Sequence, residues 1–113
     1  MSDLSALKNA IGLELLVSPL NHISDLSPLS ELKSLNFLEL NRNRISDLTP
    51  LAGLAKLKSL DLASNQITDL TPLVGLKQLT TLSLSENPKL TRAEIDELQK
   101  AQAGCKITHN AKE

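Results

Sequence analysis

The sequence predicts an α/β repeat solenoid. This is a right-handed coil with a curved parallel sheet on its concave side and short helical or 3-10 turns on its convex side. Three observations predict it. The stretches Ile23–Arg44, Ile45–Gln66 and Ile67–Pro88 repeat with a fixed period of 22 residues and no insertion or deletion. Leu, Ile and Asn hold the same slots in each copy. Pro and a preceding hydroxyl residue also recur in phase, as Ser27-Pro28, Thr49-Pro50 and Thr71-Pro72. A fixed short period of this kind marks stacked coils, each burying its apolar face against its neighbours, rather than a globule around one central site.

The 113 residues suit a single domain of residues 1–113. Hydrophobic residues make up 41%, which supplies a core, but that core is almost all leucine. One Phe and no Tyr or Trp leave few platforms for stacking bases or sugars, and a net charge of −1 gives no handle for a phosphate backbone, so no nucleic-acid partner is expected. The only cysteine, Cys105, excludes an intrachain disulfide and mildly favours a reducing compartment. The first residues lack a basic n-region and a continuous apolar run. No signal peptide, transmembrane segment or membrane partner is therefore expected in the chain as given, and a cytoplasmic location or export by a signal-independent route is favoured.

The second full copy shows how each element arises. Leu57-Lys58-Ser59-Leu60-Asp61-Leu62-Ala63-Ser64-Asn65-Gln66-Ile67 reads L-x-x-L-x-L-x-x-N-x-I. Leu60 and Leu62 alternate with Ser59, Asp61 and Ala63, and this period of two predicts a short strand with leucines facing the core. Asn65 ends the strand, and its amide both donates and accepts. Asn21, Asn43, Asn65 and Asn87 share this slot, which predicts a buried asparagine ladder. On the return path, Ser27, Thr49 and Thr71 are placed to N-cap one helical turn, with proline at its first position. Gly53 and Gly75 suit a C-terminal cap at positive φ. Glu31 takes that slot in the first full copy, which predicts strain or a different turn there.

The pattern is that of the leucine-rich repeat, and the copies closely resemble the bacterial internalin type, matched best at Ile45–Gln66 and covering Ile23 to Pro88. The resemblance implies a non-catalytic protein-interaction module, with an effector or adaptor role inside a cell as one use.

The ends depart from the period. Residues 1–22 form a degenerate copy. Asp3-Leu4-Ser5-Ala6-Leu7 matches DLSPL with Ala6 for proline, while Ser18 replaces a core leucine. Ser2 or Ser5 is placed to cap a short helix through Ala10, ending at Gly12. Residues 89–113 predict a C-terminal cap and tail. Thr91-Arg92-Ala93-Glu94 is a capping box, Ile95 and Leu98 share a helix face with Ala101 or Gln102, and Gly104 stops the helix. Cys105 and Ile107 then face inward on a last short strand, with Cys105 a buried structural thiol.

No catalytic constellation emerges. His22 and His109 belong at opposite ends of the stack, and no enzyme activity, cofactor or metal is expected. Asp25, Asp47 and Asp69 form a column in phase. Three carboxylates could hold Ca²⁺, but the favoured reading is that each accepts backbone N–H groups at its own turn.

The concave face remains. Its four strands place Leu15, Val17, Pro19 and Leu20; Phe37, Glu39, Asn41 and Arg42; Ser59, Asp61, Ala63 and Ser64; and Thr81, Ser83, Ser85 and Glu86 outside the core. These residues change from copy to copy while the leucines barely do. Leu15, Val17 and Phe37 form an apolar end, and Phe37 between Glu39 and Arg42 reads as an anchor with a polar rim. The alternative is that Leu15 and Val17 belong to the N-terminal cap and Phe37 covers them. Roughly sixteen positions fall short of the 20–30 residues of a standard interface. Binding of a protein partner is therefore expected to be weak, to recruit a lateral face, or to give way to weak self-association as a structural unit.

Overall fold

The computed structural model describes residues 3–111. Its strands are β1 (Leu15–Val17), β2 (Phe37–Glu39), β3 (Ser59–Asp61), β4 (Thr81–Ser83) and β5 (Lys106–Thr108), and they pair in parallel in chain order. A 3-10 turn precedes each of the first four strands, at Ser5–Leu7, Ser27–Leu29, Thr49–Leu51 and Thr71–Leu73. Helix α1 (Arg92–Ala101) lies between β4 and β5. This is the expected solenoid, with the sheet on one side and short turns on the other.

The core follows from the spacing of the leucines. In the first full copy Ile23, Leu26, Leu29, Leu32, Leu35, Leu38 and Leu40 are all buried, and the next two copies bury the equivalent seven. Steps of three around the coil and two along the strand turn every one of these side chains inward. Four coils share one apolar column, and no single coil could form it alone.

The asparagines tie the coils together. Asn65 Oδ1 accepts the Ile45 N–H at 2.9 Å, and its Nδ2 donates to the Leu40 and Leu62 carbonyls at 3.0 and 3.1 Å. Asn43 and Asn87 repeat this on Ile23, Ser18 and Leu40 and on Ile67, Leu62 and Leu84. Each thus bonds its own strand and the preceding coil. Asn21 is only half-buried and donates to Ser18 Oγ and the Pro19 carbonyl.

Several local expectations are corrected. Leu26, Leu48 and Leu70 hold the N-cap positions and offer no side-chain cap. Proline is the second rather than the first residue of each turn, and the first is Ser27, Thr49 or Thr71. The backbone N–H groups of these three residues donate to Asp25, Asp47 and Asp69 Oδ1, each at 2.9 Å. The Ser27, Thr49 and Thr71 hydroxyls bond the same carboxylates, and the Asp two residues upstream supplies the side-chain oxygen that a leucine at the N-cap cannot. The first coil repeats the arrangement with Asp3 and Ser5, and its helical segment is a single 3-10 turn that does not extend to Ala10. Ser2 lies outside the described residues.

Positive φ falls on Leu20, Arg42, Ser64 and Glu86, all at 58°, and on none of the described glycines. The sharp bend comes one residue before each ladder asparagine. The glycine slot keeps ordinary backbone, so Glu31 makes the same turn as Gly53 and Gly75. Lys33, Ala55 and Lys77 N–H groups donate to the carbonyls of Glu31, Gly53 and Gly75 at 2.9 to 3.0 Å.

The C-terminal cap stands in for a further coil. Thr91 Oγ1 accepts the Glu94 N–H, but Glu94 does not close the box. Its Oε1 takes the Leu70 N–H of the preceding coil. α1 buries Ile95 and Leu98 and ends before Gln102, not at Gly104. Buried Gln102 donates through Nε2 to the Leu73 and Leu76 carbonyls, both at 2.9 Å. In the repeats, the N–H of Leu20, Arg42 or Ser64 bonds a carbonyl of the next coil, and Glu86, with no such coil, donates to Asn110 Oδ1. Cys105 is buried, which pushes its thiol pKa up, and Ile107 is half-buried against the core.

Candidate functional site

Strand register builds the open face. One row runs Leu15, Phe37, Ser59, Thr81 and Lys106, and a second runs Val17, Glu39, Asp61, Ser83 and Thr108. Between them Leu16, Leu38, Leu60, Leu82 and Ile107 turn into the core. Alternation along three-residue strands forces this division, because neighbouring side chains point to opposite faces. Successive residues within a row stand ~4.8 Å apart, the spacing of paired strands.

The face has five strands rather than four. Lys106 and Thr108 extend it, and both are exposed. They fall outside the 22-residue period, so the repeat does not reveal them. The alternation of Cys105 and Ile107 was the available signal.

Chemistry varies across the face. Leu15 and Val17 are 57% and 48% exposed, and Ile11 and Leu20 of the same coil are each 68% exposed. Phe37 is half-buried in the next strand. At the centre, Asn41 Nδ2 donates to Glu39 Oε1 at 3.1 Å and to Asp61 Oδ2 at 2.9 Å. The second oxygen of Asp61 accepts the Ala63 N–H at 3.1 Å. One amide thus fixes two carboxylates from neighbouring coils. Among the described residues the ion pairs are Arg92–Asp96 and Lys100–Glu97, both on α1, so no cation answers Glu39 or Asp61. Thr81 Oγ1 donates to Ser59 Oγ at 3.0 Å, and Ala63, Ser83 and Ser85 are half-buried. Arg42 is exposed at the bend that follows β2, at the rim of the sheet. A shallow depression of about 300 Å³ joins Phe37, Glu39, Asp61, Thr81 and Lys106 on this side.

A larger groove of about 840 Å³ lies on the opposite side, between the first two 3-10 turns. Its Asp3 and Asp25 carboxylates are already engaged by Ser5 and Ser27. Those bonds, from the Ser5 hydroxyl and N–H and from the Ser27 N–H and hydroxyl, hold both carboxyls below their ordinary pKa of 3.8. Asp47 and Asp69 are lowered in the same way, by the hydroxyl and N–H of Thr49 and Thr71. Among the described residues, no group of three or more His, Cys, Asp or Glu side chains is placed to hold a metal ion. No helix among them is long and apolar enough to cross a membrane.

The family described as Leucine Rich repeats (2 copies) matches residues 55–100. An internalin from Listeria monocytogenes, InlF, superposes on all of the chain (100%) with a TM-score of 0.91 and 32% identity. The chain has the leucine-rich-repeat fold and is closely related to bacterial internalin-type proteins. Internalin C2 of Listeria monocytogenes aligns over 96% of the chain with a TM-score of 0.85 and 30% identity. A leucine-rich-repeat protein of Leptospira interrogans aligns over 84% with a TM-score of 0.76 and 31% identity. The chain spans 34%, 47% and 25% of these three relatives, so it corresponds to part of each. No significant match to the sequence is found among curated proteins. The leucine-rich-repeat fold is as a rule non-catalytic, and it typically mediates protein–protein interaction through the concave face.

Proposed function

We propose that this leucine-rich-repeat chain binds a protein partner through the concave face of its sheet, using Leu15, Val17, Phe37, Glu39, Asn41, Arg42, Ser59, Asp61, Ala63, Thr81, Ser83 and Ser85. One observation carries the reading. The inward strand positions keep leucine through β1 to β4, while the outward positions in register with them change at every coil. Residues relieved of packing are free to be chosen for what they touch. Lys106 and Thr108 widen the face, which eases the shortage of contact positions that four strands impose.

The test is affinity capture with the native chain and a Phe37→Ala/Asp61→Arg variant whose fold is verified by circular dichroism. A protein retained by the first and lost by the second is the expected result. Identical retention by both would sink the reading.

Self-association is a second reading, favoured by one feature. Ile11, Leu15, Val17 and Leu20, all exposed, gather in the first coil, and the only other exposed large hydrophobic among the described residues is Val74. Exposed apolar clusters mark interaction sites. A monomeric mass by light scattering at high concentration would exclude this reading.

A further inference from the structure

Resting on the concave-face reading, we propose that the partner contributes a protein segment that crosses the strands and presents an arginine flanked by an apolar side chain. The apolar group seats on Leu15, Val17 and Phe37, and the guanidinium lies between Glu39 and Asp61. Charge complementarity selects this occupant. The two carboxylates stand side by side on adjacent strands, both half-buried, and no cation of the described residues reaches either. Asn41 and the Ala63 N–H hold them from one side through three hydrogen bonds, so their positions are fixed before a partner arrives. Arginine suits the place better than lysine, because its planar fork addresses two carboxylates at once and sheds water more readily.

The neighbouring residues restrict the segment further. Leu15 and Val17 lie one strand from Phe37 and Glu39, so the apolar group and the cation stand about 5–10 Å apart across the strands. That is the reach of neighbouring side chains on one face of a helix or along an extended chain. On the far side, exposed Lys106 lies two strands beyond β3, about 10 Å further on. It disfavours a second cation there and favours an acidic group, which gives the segment a direction: apolar, then arginine, then acidic.

The probe is a phage-displayed library of random linear peptides, panned on the full chain, with recovered peptides titrated individually against substituted chains. Peptides enriched in arginine beside an apolar residue are expected. They should bind Glu39→Gln/Asp61→Asn on the order of tenfold more weakly, with weaker dependence on salt than for the native chain. The amide of Asp61→Asn keeps an acceptor for the Ala63 N–H, and Glu39→Gln alone serves if the double variant is unstable. Peptides that need Phe37 but carry no arginine, or that ignore neutralisation of the two acids, would overturn the inference and leave the concave-face reading standing. Recovery of no peptide, or only of peptides indifferent to Phe37→Ala as well, would overturn both.

Discussion

At the scale of single residues, the repeat divides its labour between groups that look alike in composition. Asn65 serves two coils from a buried position. Its replacement by Ala removes the partners of buried backbone groups and should cost on the order of 1–3 kcal/mol in urea unfolding. Ser83→Ala, on the open face, should cost less than ~0.5 kcal/mol; equal costs would mean that the two faces are wrongly assigned. The bend before each asparagine is a second such point. Ser64 sits at a φ of 58°, where a β-branched side chain is strongly disfavoured. Ser64→Val should therefore destabilise by about 1–2 kcal/mol, while Ser64→Gly should be neutral or stabilising. A Val variant as stable as the native chain would contradict the left-handed geometry. The asparagine slot was readable because it recurs at a fixed phase. The bend was not, because its occupants are Leu, Arg, Ser and Glu, which share no side-chain property and adopt the conformation because the ladder requires it.

At the scale of elements, sequence reasoning located the strands, the turns, the capping helix and the last strand, since period and alternation are properties of the chain itself. It assigned several hydrogen bonds to the wrong partners, because those depend on reach across coils. Glu94 leaves its own capping box for Leu70, and Gln102, which reads as one more helix-face residue, closes the carbonyls of Leu73 and Leu76. Gln102→Ala should thus cost about 1–3 kcal/mol, measured by denaturant unfolding, because buried carbonyls lose their donor; a cost near zero would deny the cap this role. The turns predict a pH effect. Asp25, Asp47 and Asp69 have folded pKa values below the ordinary 3.8, through hydrogen bonds from Ser27, Thr49 and Thr71. Depressed carboxyl pKa values add stability above the unfolded value that is lost as pH falls through the folded values. The melting temperature should therefore drop as pH falls below about 4. A triple Asp→Asn variant should show a shallower drop, and an unchanged slope would exclude the turns as its source.

At the scale of the whole molecule, four coils share one leucine column and leave one face of a five-stranded sheet uncovered. That face runs from an apolar edge through two fixed carboxylates to a lysine. Its first four strands were legible because the outward slots vary while the inward ones do not. The fifth strand was itself legible from the alternation of Cys105 and Ile107, but it lies beyond the period, which hid the place of Lys106 and Thr108 on the face. The link from Asn41 to Glu39 and Asp61 depends on side-chain conformation across coils. The most direct test of this division between scaffold and surface is to map backbone amide chemical shifts on titrating in the partner obtained by capture. Perturbations should concentrate on β1 to β5, centred on Phe37, Glu39 and Asp61, with the amides of the 3-10 turns and α1 unmoved. Perturbations centred on those turns or on α1, with the sheet amides unmoved, would contradict it.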